Sequence, residues 1–285
     1  MEPPFETIAI IGPGLVGGSL GMAVRRRSLA RRVIGIGRRQ SSLDAALRVG
    51  AADEVTLDVA AGVREAGLVV IATPISAIGP VAAEAARSMK QGAVLSDVAS
   101  VKQGVVETVT AALRERPDVT FISTHPMAGS EQRGVEHARE SLFEGSVCIF
   151  TPVEGTPHGE LTRLRAFWEA MGASVRTLDA ATHDRVVARI SHLPHLAAAA
   201  LILLVAKDEA ALAGGGLADT TRIASGDPAL WRDICESNAA QICRALDDFA
   251  GEVQHMRTLL AEGRFAELEE LLRNAKDKRD TFHSR

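Results

Sequence analysis

The sequence holds no tyrosine, only three cysteines and few aromatic residues, and it has no excess of basic charge. Cys148, Cys235 and Cys243 are scattered without the spacing of a zinc site, and an odd count suits reduced thiols in a cytosol, so packing roles are expected. A formal net charge of -4 argues against a nucleic-acid-binding face and leaves a small molecule as the expected ligand. The longest apolar stretch, Leu196 to Ala206, falls short of the roughly 20 residues that a bilayer span needs. It reads as a buried helix, and no membrane association is expected. The start, Met1-Glu2-Pro3-Pro4, is acidic and proline-rich rather than basic and apolar, so no secretory leader is expected and the chain should be cytoplasmic. The missing tyrosine excludes nothing.

What is present suffices for one large or two ordinary domains, with 285 residues of which 46% are hydrophobic. Short β-branched runs alternate with helical patterns from Thr7 to about Leu178: Ile8 to Ile11, Val33 to Ile36, Leu68 to Ala72, Ala93 to Ser96, Val119 to Ser123, Val147 to Thr151 and Ser174 to Thr177. Such alternation predicts βαβ units and a mostly parallel sheet. After Asp179 the strand patterns stop. The chain is therefore expected as an α/β, Rossmann-type dinucleotide-binding domain over residues 1–178, followed by an all-helical domain over 179–285.

In that second part the patterns predict helices over Ala180 to Asp208, Ala229 to Glu262 and Phe265 to Asp280, with breaks at Gly214-Gly215-Gly216 and Gly226-Asp227-Pro228. From Ala229 onward, Leu230, Ile234, Ile242, Leu246 and Phe249 recur at helical spacing and leave Arg232, Asp233, Glu236 and Asp247 for other faces. Pro194 falls inside the first helical pattern, where its missing donor should kink the helix or divide it.

Between the first strand and first helix stands Gly12-Pro13-Gly14-Leu15-Val16-Gly17-Gly18-Ser19. Gly12 permits a tight turn, Gly14 lets backbone approach a pyrophosphate, and Gly17 allows close helix packing, while the helix start offers free N–H donors to the anion. The end of the second strand, where NAD sites usually carry Asp or Glu, reads Gly35-Ile36-Gly37-Arg38-Arg39. Guanidinium forks attract a 2'-phosphate that a carboxylate would repel, so NADP is expected in preference to NAD.

Ligands of open α/β sheets bind beyond the carboxyl ends of the strands, where Thr73-Pro74, Asp97 to Lys102 and Thr124 to Glu131 fall. His125 stands out, because a histidine beside a nicotinamide site can serve as a base near neutral pH, although a loop-capping role is equally open. Ser191, His192 and His195 lie at the expected kink. Two histidines without a third ligand at a recognisable spacing do not make a metal site, and none is expected. Arg222 is suited to clamping a carboxylate or to pairing with Asp219 or Asp227, and Trp231 in isolation reads as core.

Together these segments resemble the prephenate and arogenate dehydrogenase family of tyrosine biosynthesis. The resemblance covers nearly the whole chain: IIGPGLVGGS at the start, ATPIS at Ala72 to Ser76, DVASVK at Asp97 to Lys102, HPMAGSE at His125 to Glu131, SHLPH at Ser191 to His195, and GGGLADTTRIASGDPALW from Gly214 to Trp231. It implies oxidative decarboxylation of prephenate to 4-hydroxyphenylpyruvate, with His125 catalytic, Ser100 holding it and Lys102 nearby. Arg222 would bind the side-chain carboxylate, and Ser191, His195, Glu131 and Trp231 would shape the pocket. A homodimer through the helical domain is also implied. The chain ends at Arg285, just past the last helical pattern, so the regulatory domain that some members carry is not expected.

Arogenate, with an amino group in place of the keto group, is the alternative substrate, and Ser130 or Glu131 could meet its ammonium. More distant readings are an NADP-linked β-hydroxyacid dehydrogenase or imine reductase, and a nicotinamide sensor that kept the fold without the chemistry.

Overall fold

The computed structural model describes residues 3–130 and 132–283, so Glu131, expected at the substrate site, lies outside the described residues. The strands are β1 (Thr7–Ile11), β2 (Arg32–Ile36), β3 (Glu54–Thr56), β4 (Leu68–Ile71), β5 (Val94–Asp97), β6 (Thr120–Pro126), β7 (Val147–Pro152) and β8 (Ser174–Thr177). Among them run α1 (Leu15–Arg26), α2 (Gln40–Arg48), α3 (Val59–Val63), α4 (Ile75–Ala86), α5 (Gln103–Ala112) and α6 (His158–Ala170). Then follow α7 (Ala180–Val187), α8 (Leu193–Leu203), α9 (Lys207–Ala210), α10 (Gly215–Thr221), α11 (Pro228–Ser237), α12 (Ala239–Ala261) and α13 (Phe265–His283).

The strands form one sheet in the order β3-β2-β1-β4-β5-β6-β7-β8. Every neighbouring pair is parallel except β6 with β7. The exception follows from the connection, whose described residues hold the three-residue 3-10 turn Val135–His137 and no crossover helix. β3 is absent from the sequence reading because its three residues, Glu54, Val55 and Thr56, form no apolar run and pair at the sheet edge.

β1, β4 and β5 are buried along their whole length, which explains their unbroken apolar or small-residue runs. Alternate side chains serve opposite faces. Ile8, Ile10, Leu68 and Val70 pack with Leu20 of α1 and Phe167 and Trp168 of α6, while Ala9, Ile11, Val69 and Ile71 pack with Ile78 of α4 and Val105 of α5.

By packing, residues 1–239 form one compact unit and 240–285 another. Hydrogen bonds account for it. Both oxygens of Asp184 in α7 accept backbone N–H groups, from Lys102 at 2.8 Å and Gln103 at 2.9 Å, and Asn238 Nδ2 donates to the Asp184 carbonyl at 2.8 Å. The helices up to Asn238 are thus tied to the sheet through the start of α5. Asn238 also interrupts the long helix expected from Ala229, its backbone leaving helical geometry at φ -127° and ψ 25°.

At Pro194 the chain adopts the wider path that its missing donor requires. α7 passes into a π-helical turn over Ala188–His192, and α8 starts with Pro194 in its first turn. By length and composition the joined run Ala180–Leu203 would suffice to cross a bilayer, as the shorter stretch read from the sequence would not. Buried His183, Asp184, His192 and His195 give this run a polar packed side, whereas Leu201, Ile202, Leu203 and Leu204 at its end are exposed rather than buried as expected. In the second unit, α12 and α13 are joined through Gly263 at φ +68°. Arg264 N–H bonds to the Leu259 carbonyl and Gly263 N–H to that of Leu260, which closes α12 with a Schellman motif.

Candidate active site

Two clefts of the first unit gather the expected site residues. One, of about 970 Å³, is lined by Gly12, Gly14, Gly37, Arg38, Arg39 and Thr73, with Pro74 beside them. It lies where the sheet order reverses between β1 and β4, the crevice in which such sheets bind nucleotides. Gly12 has φ +95°, and a Cβ there would stand 2.7 Å from the Ala72 carbonyl oxygen; a Cβ on Gly17 would reach 2.4 Å from that of Gly12. At Gly14, by contrast, a Cβ would meet nothing within 4 Å. The loop therefore presents bare backbone to open space. Gly14 caps α1 without a side-chain hydrogen bond, and Leu15, Val16 and Gly17 open the helix with N–H groups left for an anion. These residues fit a dinucleotide pyrophosphate. Arg38 and Arg39 are exposed at the far end of the cleft, and neither makes an ion pair among the described residues.

His125 lies near the end of β6, 7% exposed. Its Nδ1 is 2.8 Å from Nε2 of His183, whose Nδ1 is 2.8 Å from Oδ1 of Asp184. The two imidazoles meet edge to face at 5.1 Å between centroids. Burial, and after it the Lys102 charge, hold His125 well below the ordinary histidine value of 6.5. It is a neutral imidazole at pH 7.

Lys102 is fully buried, its Nζ donating to Asp97 Oδ2 at 2.5 Å and to the Thr124 carbonyl at 2.6 Å. Burial lowers its pKa and the Asp97 carboxylate works against that. Ser123 Oγ donates to Asp97 Oδ1 at 2.6 Å, and Thr124 Oγ1 donates to the Asp97 carbonyl at 2.6 Å. Lys102, expected among the catalytic residues, thus joins β5 to β6 through two of its three N–H donors. Ser100, expected to hold His125, is half-buried, and the hydrogen bond at His125 Nδ1 goes to His183.

The second cleft, of about 650 Å³, brings Ser130, Ser191, His195, Arg222 and Trp231 together. His195 stacks on Trp231 with centroids 3.5 Å apart and planes 10° apart. Asp227 caps α11 by accepting from Ala229 N–H at 3.0 Å and Leu230 N–H at 3.2 Å, and it also pairs with Arg133 of the loop after β6. His125 is outside this cleft wall, but the loop that follows it supplies Gly129 and Ser130 to the wall.

Residues 20–177 match the family model described as the nucleotide-binding domain of prephenate dehydrogenase, and residues 179–274 match its dimerization domain. The chain belongs to the prephenate dehydrogenase family. It is 35% identical over 287 residues to prephenate dehydrogenase of Bacillus subtilis, covering 98% of this chain and 77% of that protein. It is similar to the crystal structure of A. aeolicus prephenate dehydrogenase in complex with hydroxyphenyl propionate and NAD+, at a TM-score of 0.88 and 30% identity over 96% of this chain and 97% of that one. It is also similar to Synechocystis arogenate dehydrogenase, at a TM-score of 0.83 and 31% identity over 97% and 99% of the two chains. The protein is an NAD(P)-dependent oxidoreductase of this family.

Within this prephenate dehydrogenase fold, sequence reasoning missed His183, Asp184 and Asn238. His183 and Asp184 follow one turn after Asp179, the residue that caps α7 by accepting from Thr182 N–H at 2.8 Å. An adjacent His-Asp pair at a helix start is the signal that could have drawn attention. Only the fold brings it to β6.

Proposed function

We propose that this enzyme oxidises prephenate with loss of its ring carboxylate, giving 4-hydroxyphenylpyruvate, that it prefers NADP, and that it works as a homodimer through its helical part. The observation that carries the reading is a buried, neutral His125 at the end of β6, at the root of a loop that also lines the Arg222 cleft. Prephenate bears a hydroxyl and a hydrogen on C4. A bound nicotinamide ring supplies the acceptor for the hydride that leaves C4. His125 takes the hydroxyl proton, so that O–H breaks as the C4 carbonyl forms. The C1–carboxylate bond then breaks, its electron pair enters the ring, and the phenolate oxygen takes back the proton from His125. Proton uptake and return balance at this one nitrogen.

Arg222 binds the side-chain carboxylate, remote from C4, so it orients the ring without opposing the charge shift. The stacked His195 and Trp231 set the width of the same cleft. The exposed guanidinium groups of Arg38 and Arg39 beside Gly37 support NADP, because they suit a 2'-phosphate and the sequence has no acid at the end of β2 to hold a ribose diol. Leu203, Leu204 and Leu212 of the first unit are more than 80% exposed, and Phe249, Val253, Leu260 and Phe265 of the second are exposed as well. Apolar side chains of this kind support burial against a second copy.

The test is nicotinamide reduction by the purified protein with prephenate or arogenate, each with NAD or NADP. Rapid turnover with prephenate and NADP is expected. Faster turnover with arogenate would replace the substrate, and silence in all four mixtures from folded, nucleotide-binding protein would overturn the catalytic reading.

A further inference from the structure

A carboxylate oxygen accepts hydrogen bonds and has nothing to donate, which settles the protons along the row Asp184, His183, His125. Burial lowers the pKa of His183, so it is neutral at pH 7, and with Asp184 Oδ1 at 2.8 Å its single proton is on Nδ1. Its Nε2 is then an acceptor, and His125, 2.8 Å away, donates from Nδ1. The reverse assignment would set a bare His183 Nδ1 against a carboxylate oxygen, lone pair to lone pair. The remaining tautomer of His125 has a bare Nε2, the atom a base uses.

We propose that His183 and Asp184 are positioning residues that fix the tautomer and ring orientation of His125. This rests on the reading of His125 as the base. Asp184 is itself held on both oxygens by the N–H groups of Lys102 and Gln103, and at its carbonyl by Asn238. Asn238 Nδ2 also lies 3.3 Å from His192 Nδ1, so the anchor extends to the π-helical turn. All of Lys102, His125, His183, Asp184, His192 and Asn238 are buried, which leaves the row little freedom to rotate.

The row also answers an electrostatic difficulty. The charged groups around His125 are Lys102 from the end of the β5 loop and its partner Asp97, and the neutral titratable groups are His183 and His192 from the helical run and the Cys148 thiol on neighbouring β7. Lys102 opposes a second positive charge when His125 takes a proton. His183 Nε2, backed by the Asp184 carboxylate, accepts from the resulting imidazolium and offsets that opposition, as the acid of a catalytic triad does for its histidine.

The experiment uses the full-length enzyme with 15N-labelled histidine. Two-bond 15N–1H correlation at pH 7 should show His125 protonated on Nδ1 with Nε2 bare, and His183→Phe should shift it toward the Nε2-protonated form. His183→Gln keeps an acceptor for Nδ1–H. We expect His183→Phe to lower kcat about 100-fold or more with KM within about threefold, and His183→Gln to recover to within about tenfold of the parent. The acid limb of the kcat profile should move to lower pH in His183→Phe, because the imidazolium has lost its acceptor. An Nε2-protonated His125 in the parent enzyme, or parental kcat and acid limb in His183→Phe, would overturn the inference. If His183→Phe does not fold, the parent spectrum and His183→Gln decide. Parental kcat in His125→Asn would instead defeat the reading of His125 as the base, with the tautomer result unaffected.

Discussion

His195 lies flat against Trp231, and the absence of a side chain at Gly226 is what lets the two rings meet. A Cβ at Gly226 would stand 2.6 Å from Trp231 Nε1 and 3.0 Å from His195 Cε1. The backbone there, at φ -61° and ψ 153°, suits alanine equally well, so only the stack pays for the added methyl. Gly226→Ala should lower kcat/KM by about 10- to 100-fold through misplacement of the cleft wall, with the melting temperature within a few degrees of the parent. Steady-state kinetics beside a thermal melt check this.

In the proposed reaction His125 and Arg222 act on different parts of the substrate, so their effects should separate kinetically. His125→Asn should lower kcat by about 10²- to 10⁴-fold with little change in KM, since it removes the proton acceptor alone. Arg222→Ala should mainly raise KM, by about 10- to 100-fold, the worth of a charge-assisted hydrogen bond. Equal effects on KM alone from both changes would sink the assignments.

Cofactor choice is tested at the exposed end of the nucleotide cleft. The double change Arg38→Ala, Arg39→Ala should raise KM for NADP about 10- to 100-fold and leave that for NAD within about twofold. A parallel loss with both cofactors would mean that the pair serves the fold.

The buried histidines make stability depend on pH. Burial lowers the pKa of His125, His183 and His195, and brings that of His192 from 6.5 to about 4. Between those limits the unfolded chain binds more protons than the folded one. Stability is therefore complete above about pH 6.5 and declines as pH falls, with His192 accounting for about 3 kcal/mol by pH 4. Asp118, Asp179 and Glu267, lowered from 3.8, 3.8 and 4.5, add to the decline only near the acid end, as pH falls through those values. Denaturant titrations from pH 7.5 to 4.5 should show the decline, and His192→Gln should reduce its slope by about one proton. An unchanged slope in that variant would assign the effect elsewhere.

Much of the sheet was legible because burial on two faces leaves unbroken apolar runs at β1 and β4, and because the glycines at 12 and 17 are dictated by backbone approach. The edge strand β3 was not, since Glu54 and Thr56 pair through their backbone and carry no hydrophobic signature. Ser191, His195, Arg222 and Trp231 were found as separate local motifs, and the fold assembles them in one cleft. The partner of His125 was illegible: His183 is 58 residues away in sequence, and no local pattern encodes which histidine a strand end will meet. Likewise Asn238 reads as one more polar residue on a helix until its bond to the Asp184 carbonyl is seen.

The carboxylate of Asp184 joins two requirements that most enzymes keep apart. It satisfies N–H groups at the start of α5, a contribution to folding, and it orients the histidine row, a contribution to rate. Active-site groups are often strained, so that replacing them stabilises the protein at the expense of activity. At Asp184 that trade-off is absent: a replacement forfeits both qualities together, and selection for either one alone keeps the aspartate.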